Sequence, residues 1–145
     1  MGKLGFAIVA SHLNEKDMQF AKEAVSNYHS FKNIVWHGDL FRLVNPHENA
    51  MAALMYVEPS KRKAIIFNYL VDSRQRLTET QKPVRLAGLD PEKKYSVKEI
   101  NLYPETKSPI NATATYSGDF LMKVGINPNI SLQRTSVVLE VNEVN

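Results

Sequence analysis

The chain has 145 residues, 43% hydrophobic and 23% charged, with a formal net charge of +3. That is one domain's worth of polypeptide, long enough to bury a core without disulfides or a metal, and too mildly basic to suggest a nucleic-acid partner. With no cysteine, thiol catalysis, thiolate metal sites and disulfide staples are excluded, while cytoplasm and periplasm both stay open as compartments.

Leu4–Ala10 reads as a buried-type extended segment with no partner strand in the next thirty residues, and it follows an abrupt Met1-Gly2-Lys3. An orphan apolar strand at such a start points to a part of the protein that precedes it. The segment lacks a small-x-small cleavage site, so it is not a signal peptide, and no apolar run approaches the ~18 residues of a membrane span. Asn14–Lys32 is a helix: Asn14 is a natural N-cap, and Glu15 and Asp17 lie in the first turn where the helix dipole favours acids. Met18, Ala21, Val25 and Tyr28 recur at three- and four-residue intervals, with Phe20, Ala24 and Phe31 widening the stripe. Such a face needs a partner.

From Asn33 onward the pattern is strand and turn. Ile34–Trp36 and Leu40–Val44 flank His37-Gly38-Asp39. Ala50–Val57 is apolar on both faces, as a central or roofed strand would be, and Ala64–Val71 sets Ile65, Phe67 and Tyr69 on one face. Asp72–Lys82 reads as a loop. Val84–Tyr103 then predicts a hairpin on which the downstream chain pairs or packs. Val84 and Leu86 alternate, Gly88 and Asp90-Pro91 supply turn chemistry, and Tyr95 and Val97 resume an alternation that slips at Glu99-Ile100, which predicts a bulge. Ile110–Tyr116, Phe120–Val124 and Ser136–Val144 are further strands, separated by turns at Ser117-Gly118-Asp119 and Asn127-Pro128-Asn129. Short strands at this spacing predict an antiparallel Greek-key-type β-sandwich, mainly β, preceded by one amphipathic α-helix.

Chemically reactive constellations are sparse. Gly38-Asp39-Leu40-Phe41 echoes Gly118-Asp119-Phe120-Leu121, and a retaining glycosidase needs two carboxyls about 5 Å apart; the alternative is that each Asp bonds its own turn backbone. His12, His29, His37 and His47 lack metal-ligand spacing. There is no nucleophile elbow, P-loop or dinucleotide fingerprint, so no catalytic residue, metal or cofactor is assigned. Aromatic rings stack on pyranose C–H faces, and Trp36, Tyr56, Tyr69, Tyr103 and Tyr116 are the candidates for sugar binding, although aromatics in a sandwich are first of all core residues.

Three stretches carry a resemblance. Asn33–Val57 is similar to the segment after the catalytic barrel in large bacterial α-galactosidases (melibiase type, glycoside hydrolase family thirty-six). Leu86–Tyr95, LAGLDPEKKY, resembles that family's Leu-x-Gly-Leu-Asp-Pro…Tyr element, and Ser117–Ile126, SGDFLMKVGI, resembles its Ser-Gly-Asp-x-Leu-Met strand near the C-terminus. Gly2–Lys32 resembles the closing segment and last helix of the barrel, with Ala7 and Val9 standing where relatives often carry acids. The resemblance covers essentially the whole chain. It implies that residues 1–32 are the remnant of a (β/α)₈ barrel and 33–145 a C-terminal sandwich, packed on the catalytic barrel as its partner. It also implies that the parent, expected to be a homo-oligomer, hydrolyses terminal α-galactosides by a retaining double displacement. The two aspartates of that reaction lie upstream of anything present, so no position here inherits a catalytic role. The alternatives are an independent carbohydrate-binding module that takes galactosides on surface aromatics, and a small enzyme using Asp39 and Asp119.

Overall fold

The structure, a computed structural model, describes residues 10–72 and 82–144. After a 3₁₀ turn at Ala10–His12, α1 spans Glu15–His37. The predicted cap forms: the Asn14 side chain accepts the Asp17 N–H at 2.9 Å. The expected strand at Leu4–Ala10 lies, apart from Ala10, outside the described residues, and so does nearly all of the loop predicted over Asp72–Lys82.

Helix α1 runs five residues beyond its predicted end at Lys32, so Ile34–Trp36 is helix and not strand. The β-branched Ile34 and Val35 favour strand locally, but both are buried with Phe31 against the sheet, and tertiary burial overrides a propensity worth a few tenths of a kcal/mol. Gly38 stops the helix. Its N–H bonds to Ile34 O at 2.8 Å, and a Cβ there would stand 2.5 Å from both Ile34 O and Val57 O.

Six strands follow: β1 Asp39–Val44, β2 Met51–Val57, β3 Lys63–Leu70, β4 Lys94–Ile100, β5 Thr115–Ser117 and β6 Ser136–Val144, with α2 at Gly118–Lys123 between the last two. They form one antiparallel sheet in the order β1-β2-β3-β6-β4-β5. The final strand inserts between β3 and β4, which gives the Greek-key character. The mainly-β antiparallel fold with its N-terminal helix is therefore as expected. Among the described residues, the layer facing the sheet opposite α1 is built of irregular chain and α2.

Each face of the sheet buries its own core. Beneath α1, Phe31, Ile34 and Val35 pack on Ile65, Phe67 and Val138, with Phe31 and Phe67 edge to face at 5.8 Å. On the other face Met55, Ile66, Val97, Leu139 and Val141 are covered by Val84, Leu86, Leu89, Leu121 and Ile130. β2 is thus roofed on both sides, which explains its double-faced apolar sequence.

The predicted hairpin does not form. Val84 bridges to Ile126 (N–H to O, 2.8 and 3.0 Å, in both directions), and Leu86 N–H bonds to Leu121 O at 3.0 Å. Residues 84–86 therefore lie over the sheet as part of the covering layer. The Glu99-Ile100 bulge is also absent: β4 pairs with β6 unbroken from Lys94↔Val144 to Ile100↔Val138. The register shift lies instead in β1, between Arg42 and Val44. Two expected strands near the C-terminus are corrected as well. Ile110–Tyr116 reduces to Thr115–Ser117, because Asn111 folds back as a turn, its Oδ1 accepting from Thr113 N at 3.1 Å. Phe120–Val124 is helical because Ser117 caps α2, its Oγ accepting the Phe120 N–H at 3.1 Å, and Asp119 pairs with Lys123 one turn on at 2.7 Å.

These segments meet at Tyr95, which is fully buried. Its hydroxyl donates to Lys61 O at 2.8 Å and accepts the Asp90 N–H at 3.1 Å, so one phenol joins the β2–β3 turn to the Asp90-Pro91 turn. Burial holds the phenol above its usual pKa. Gly118 lies against the same point, where a Cβ would collide with the Asp90 carbonyl. Tyr95→Phe leaves both backbone groups unpaired in a part-buried place, and it should lower unfolding free energy by about 2 kcal/mol, read as a reduced urea midpoint at unchanged m-value.

Candidate functional site

The chemistry-bearing residues of the sequence are dispersed by the fold. Asp39 opens β1 and Asp119 follows β5, the two edges of the sheet. Five inter-strand spacings put them on the order of 20 Å apart, whereas a retaining pair requires about 5 Å. A self-sufficient glycosidase built on these two carboxylates is therefore ruled out. Asp119 has a local role as a first-turn acid and partner of Lys123. Among the described residues no three of His, Cys, Asp or Glu gather where they could hold a metal ion.

The five aromatics lie in four places. Tyr56 and Tyr69 pack beside Phe67 under α1, where burial, and secondarily Tyr56, raises the Tyr69 phenol. Trp36 sits near the C-terminal end of α1, 53% exposed, with Lys32 Nζ 5.7 Å from its ring centre. Tyr116, on edge strand β5, stacks on Phe120 at 5.6 Å on the far side of the sheet. Tyr103 follows β4 and faces the first turns of α1.

At Tyr103 polar and aromatic groups converge. Before Phe31, Ala24 is the only residue of α1 described as buried, so the first half of the helix depends on polar ties to the segment after β4. Asn27 Nδ2 donates to Asn101 Oδ1 at 2.8 Å, Tyr103 Oη donates to Asp17 Oδ1 at 2.9 Å, and Lys16 pairs with Glu105 at 2.5 Å. The Asp17 hydrogen bond, above all, raises the Tyr103 phenol. Asn101 and Glu105 adopt left-handed φ values of 58° and 67°, which turn this segment back toward the helix at a cost of order 1 kcal/mol each.

Behind it lies a buried ion pair. Glu99, 6% exposed at an inward position of β4, receives Arg134 Nη2 at 3.0 Å on Oε1 and 3.1 Å on Oε2, together with the Ser108 hydroxyl. Arg134 also donates to Asn129 O at 3.2 Å and Pro128 O at 3.4 Å, so one guanidinium holds the 127–135 loop to β4. Around this pair opens a recess of about 360 Å³ whose walls include Phe20, Asn101, Tyr103, Lys107, Gln133 and Arg134. The sequence reading picked out Tyr103 but missed Glu99 and Arg134. The signal was there: the slip in alternation at Glu99 marks an acid turned inward, and a buried acid requires a cation.

A second charged cluster joins the turn before β3 to the end of β6. Glu143 pairs with Arg62 at 2.8 Å and Lys93 at 3.2 Å, and the Arg62 hydrogen bond is the main cause of a lowered Glu143 pKa.

The fold is thus an antiparallel β-domain flanked by one long helix. The family model for the glycosyl hydrolase family 36 C-terminal domain matches residues 51–140, and the chain belongs to that family. It is 29% identical over 126 residues to alpha-galactosidase 1 of Pediococcus pentosaceus and 27% identical over 128 residues to alpha-galactosidase AgaA of Geobacillus stearothermophilus. Both alignments cover 86% of this chain and 15% of the relative, so the chain spans about one-seventh of their length. Among solved structures it is similar to the GH36 alpha-galactosidase AgaA of G. stearothermophilus (TM-score 0.71, 25% identity, 92% of this chain and 17% of that one). It also shares the fold of the alpha-galactosidase of Lactobacillus brevis (TM-score 0.73, 17% identity, 95% and 18%).

Two outcomes test these electrostatics. Arg134→Ala strands the Glu99 carboxylate and should cost about 3 kcal/mol of stability, whereas Glu99→Gln with Arg134→Met should recover much of it, both read by urea denaturation. Glu143, with its folded-state pKa below the unfolded one, contributes stability that is complete above the unfolded value and is lost as pH falls through the folded one. The stability difference between the wild type and Glu143→Gln should therefore shrink from pH 6 toward pH 3, and high salt should narrow it further.

Proposed function

We propose that this chain is a non-catalytic C-terminal β-domain of an α-galactosidase-type glycoside hydrolase, and that it packs on and stabilises the catalytic barrel of the parent enzyme. The observation that carries this is the match to the family's C-terminal domain model over residues 51–140. The relatives are alpha-galactosidases of which this chain corresponds to 15%. The parent would hydrolyse terminal α-galactosides with retention, on carboxylates carried outside this chain, and would work as a homo-oligomer.

The barrel-facing surface in this reading is α1 and what precedes it. Residues 1–32 would belong to the barrel, and the remainder would be the rigid body on which its last helix is seated. Apolar positions that the sheet leaves accessible support this: Val25 and Trp36 on α1, and Leu40 just beyond it, are each more than a third exposed. Met18 and Ala21 are only half-buried.

The purified chain should therefore bind an apolar dye such as anilinonaphthalene sulfonate, or self-associate, and Val25→Glu with Trp36→Glu should suppress this without lowering the melting temperature. A non-sticky monomer would count against the packing role. The same preparation should not hydrolyse an aryl α-galactoside; turnover that survives repurification would overturn the non-catalytic assignment.

A further inference from the structure

We propose that the recess between the first turns of α1, the 101–107 segment and the 127–136 loop is a binding site for a neutral hexopyranoside. This goes beyond the packing role, and the recess would be used by this domain itself. At about 360 Å³ it falls within the size range of small-molecule sites.

Its two walls differ in a way that suits a pyranose ring. One is aromatic: Phe20 and Tyr103 stand 5.8 Å apart with their planes at 43°, and Tyr103 remains 39% exposed. A sugar presents a C–H face that such rings can cover. The other wall is polar, with the Asn101 and Gln133 amides, Lys107 and Arg134, a mixture of donors and acceptors suited to hydroxyls.

Charge points to a neutral ligand. Glu99 and Arg134 neutralise one another, as do Lys16 and Glu105 at the rim, which leaves Lys107 and the Asp17 carboxylate bonded to Tyr103 as opposite charges near the recess. One lysine is too little to hold a phosphate or sulfate, which calls for several donors around the anion. The site is also held in shape before any ligand arrives. The Tyr103 ring is anchored through Asp17, and the guanidinium through Glu99, Asn129 and Pro128, so little ordering is left for binding to oppose. The left-handed Asn101 and Glu105 fit the same pattern, since strain of this kind gathers at ligand sites.

The experiment is an amide-resolved NMR titration of the chain with methyl α-galactopyranoside and, separately, methyl α-glucopyranoside. Saturable shifts at Asn101, Tyr103, Lys107 and Gln133 with millimolar affinity for either sugar are expected, and the preferred epimer would show which hydroxyl the polar wall reads. Tyr103→Ala should weaken binding about tenfold, while Tyr103→Phe, which keeps the ring and loses only the Asp17 bond, should stay within about threefold. Because Tyr103→Ala also loosens α1, Gln133→Ala on the exposed loop gives an independent reading and should weaken binding with unchanged melting temperature. Shifts that fail to saturate, that map elsewhere, or that persist unchanged in both Tyr103→Ala and Gln133→Ala would overturn the proposal.

Discussion

The fold depends on one crowded point, the hydroxyl of Tyr95. Two chain segments reach it, the β2–β3 turn through Lys61 O and the Asp90-Pro91 turn through the Asp90 N–H, and the start of α2 lies beside them, Gly118 against the Asp90 carbonyl and the edge of the Tyr95 ring. The backbone there is further stitched by Gly118 N–H to Lys93 O at 2.9 Å and Asp119 N–H to Pro91 O at 3.2 Å. A buried phenol this far from water must satisfy its hydroxyl, and doing so fixes where the two turns lie. The Leu-x-Gly-Leu-Asp-Pro…Tyr and Ser-Gly-Asp elements that carry the family resemblance are therefore parts of a single packing arrangement. Leu86 and Leu89 cover the sheet, Asp90 meets the phenol, and Gly118 is required because no side-chain atom fits. Gly88 adds a φ of 75° in a place where a Cβ would lie 2.5 Å from the Phe41 ring.

With that corner fixed, the sheet is loaded on both faces, but in different ways. The covering layer is apolar and continuous with the main core. Helix α1 is buried mainly in its second half, through Phe31, Ile34 and Val35; of its first half Ala24 alone is buried, and that half is held by the Phe20–Tyr103 ring contact and by exposed or half-exposed polar ties. Such ties are individually worth about 1 kcal/mol or less in water. The second half of α1 is accordingly the part seated on the sheet core, and the first turns are positioned by their ties to the segment after β4. A helix shared between two bodies would be expected to divide in this way.

How much of this was legible in the sequence depended on whether the deciding force was local. Strands β2, β3 and β6 were read almost to the residue, because their alternation is set by burial that the sequence itself records. The end of α1 was misread because Ile34, Val35 and Trp36 favour strand locally while the sheet beneath them rewards helix. Val84–Leu86 has a true strand pattern, but a two-residue period says which side is buried and nothing about the partner, and the partner proved to be residues 121–126. Helix α2 was missed because Ser117 was read as turn chemistry rather than as a cap. At the site, Tyr103 was picked out as an aromatic among five, and nothing local separated it from Tyr56 or Tyr69, which pack half-buried against the core under α1. Its meeting with Glu99, Arg134 and the first turns of α1 is tertiary: Arg134 lies 35 residues from Glu99 along the chain.

The placement of the carboxylates bears on what such a domain contributes to a glycosidase. Retaining hydrolysis needs two carboxyls converging from either side of one glycosidic bond. In this domain three acids are held locally by cations, Asp119 by Lys123, Glu143 by Arg62 and Lys93, and Glu99 by Arg134. Its charges hold turns and loops to strands. In a domain that packs on a barrel as proposed, such pairs would serve its shape and the seating of α1 rather than bond cleavage.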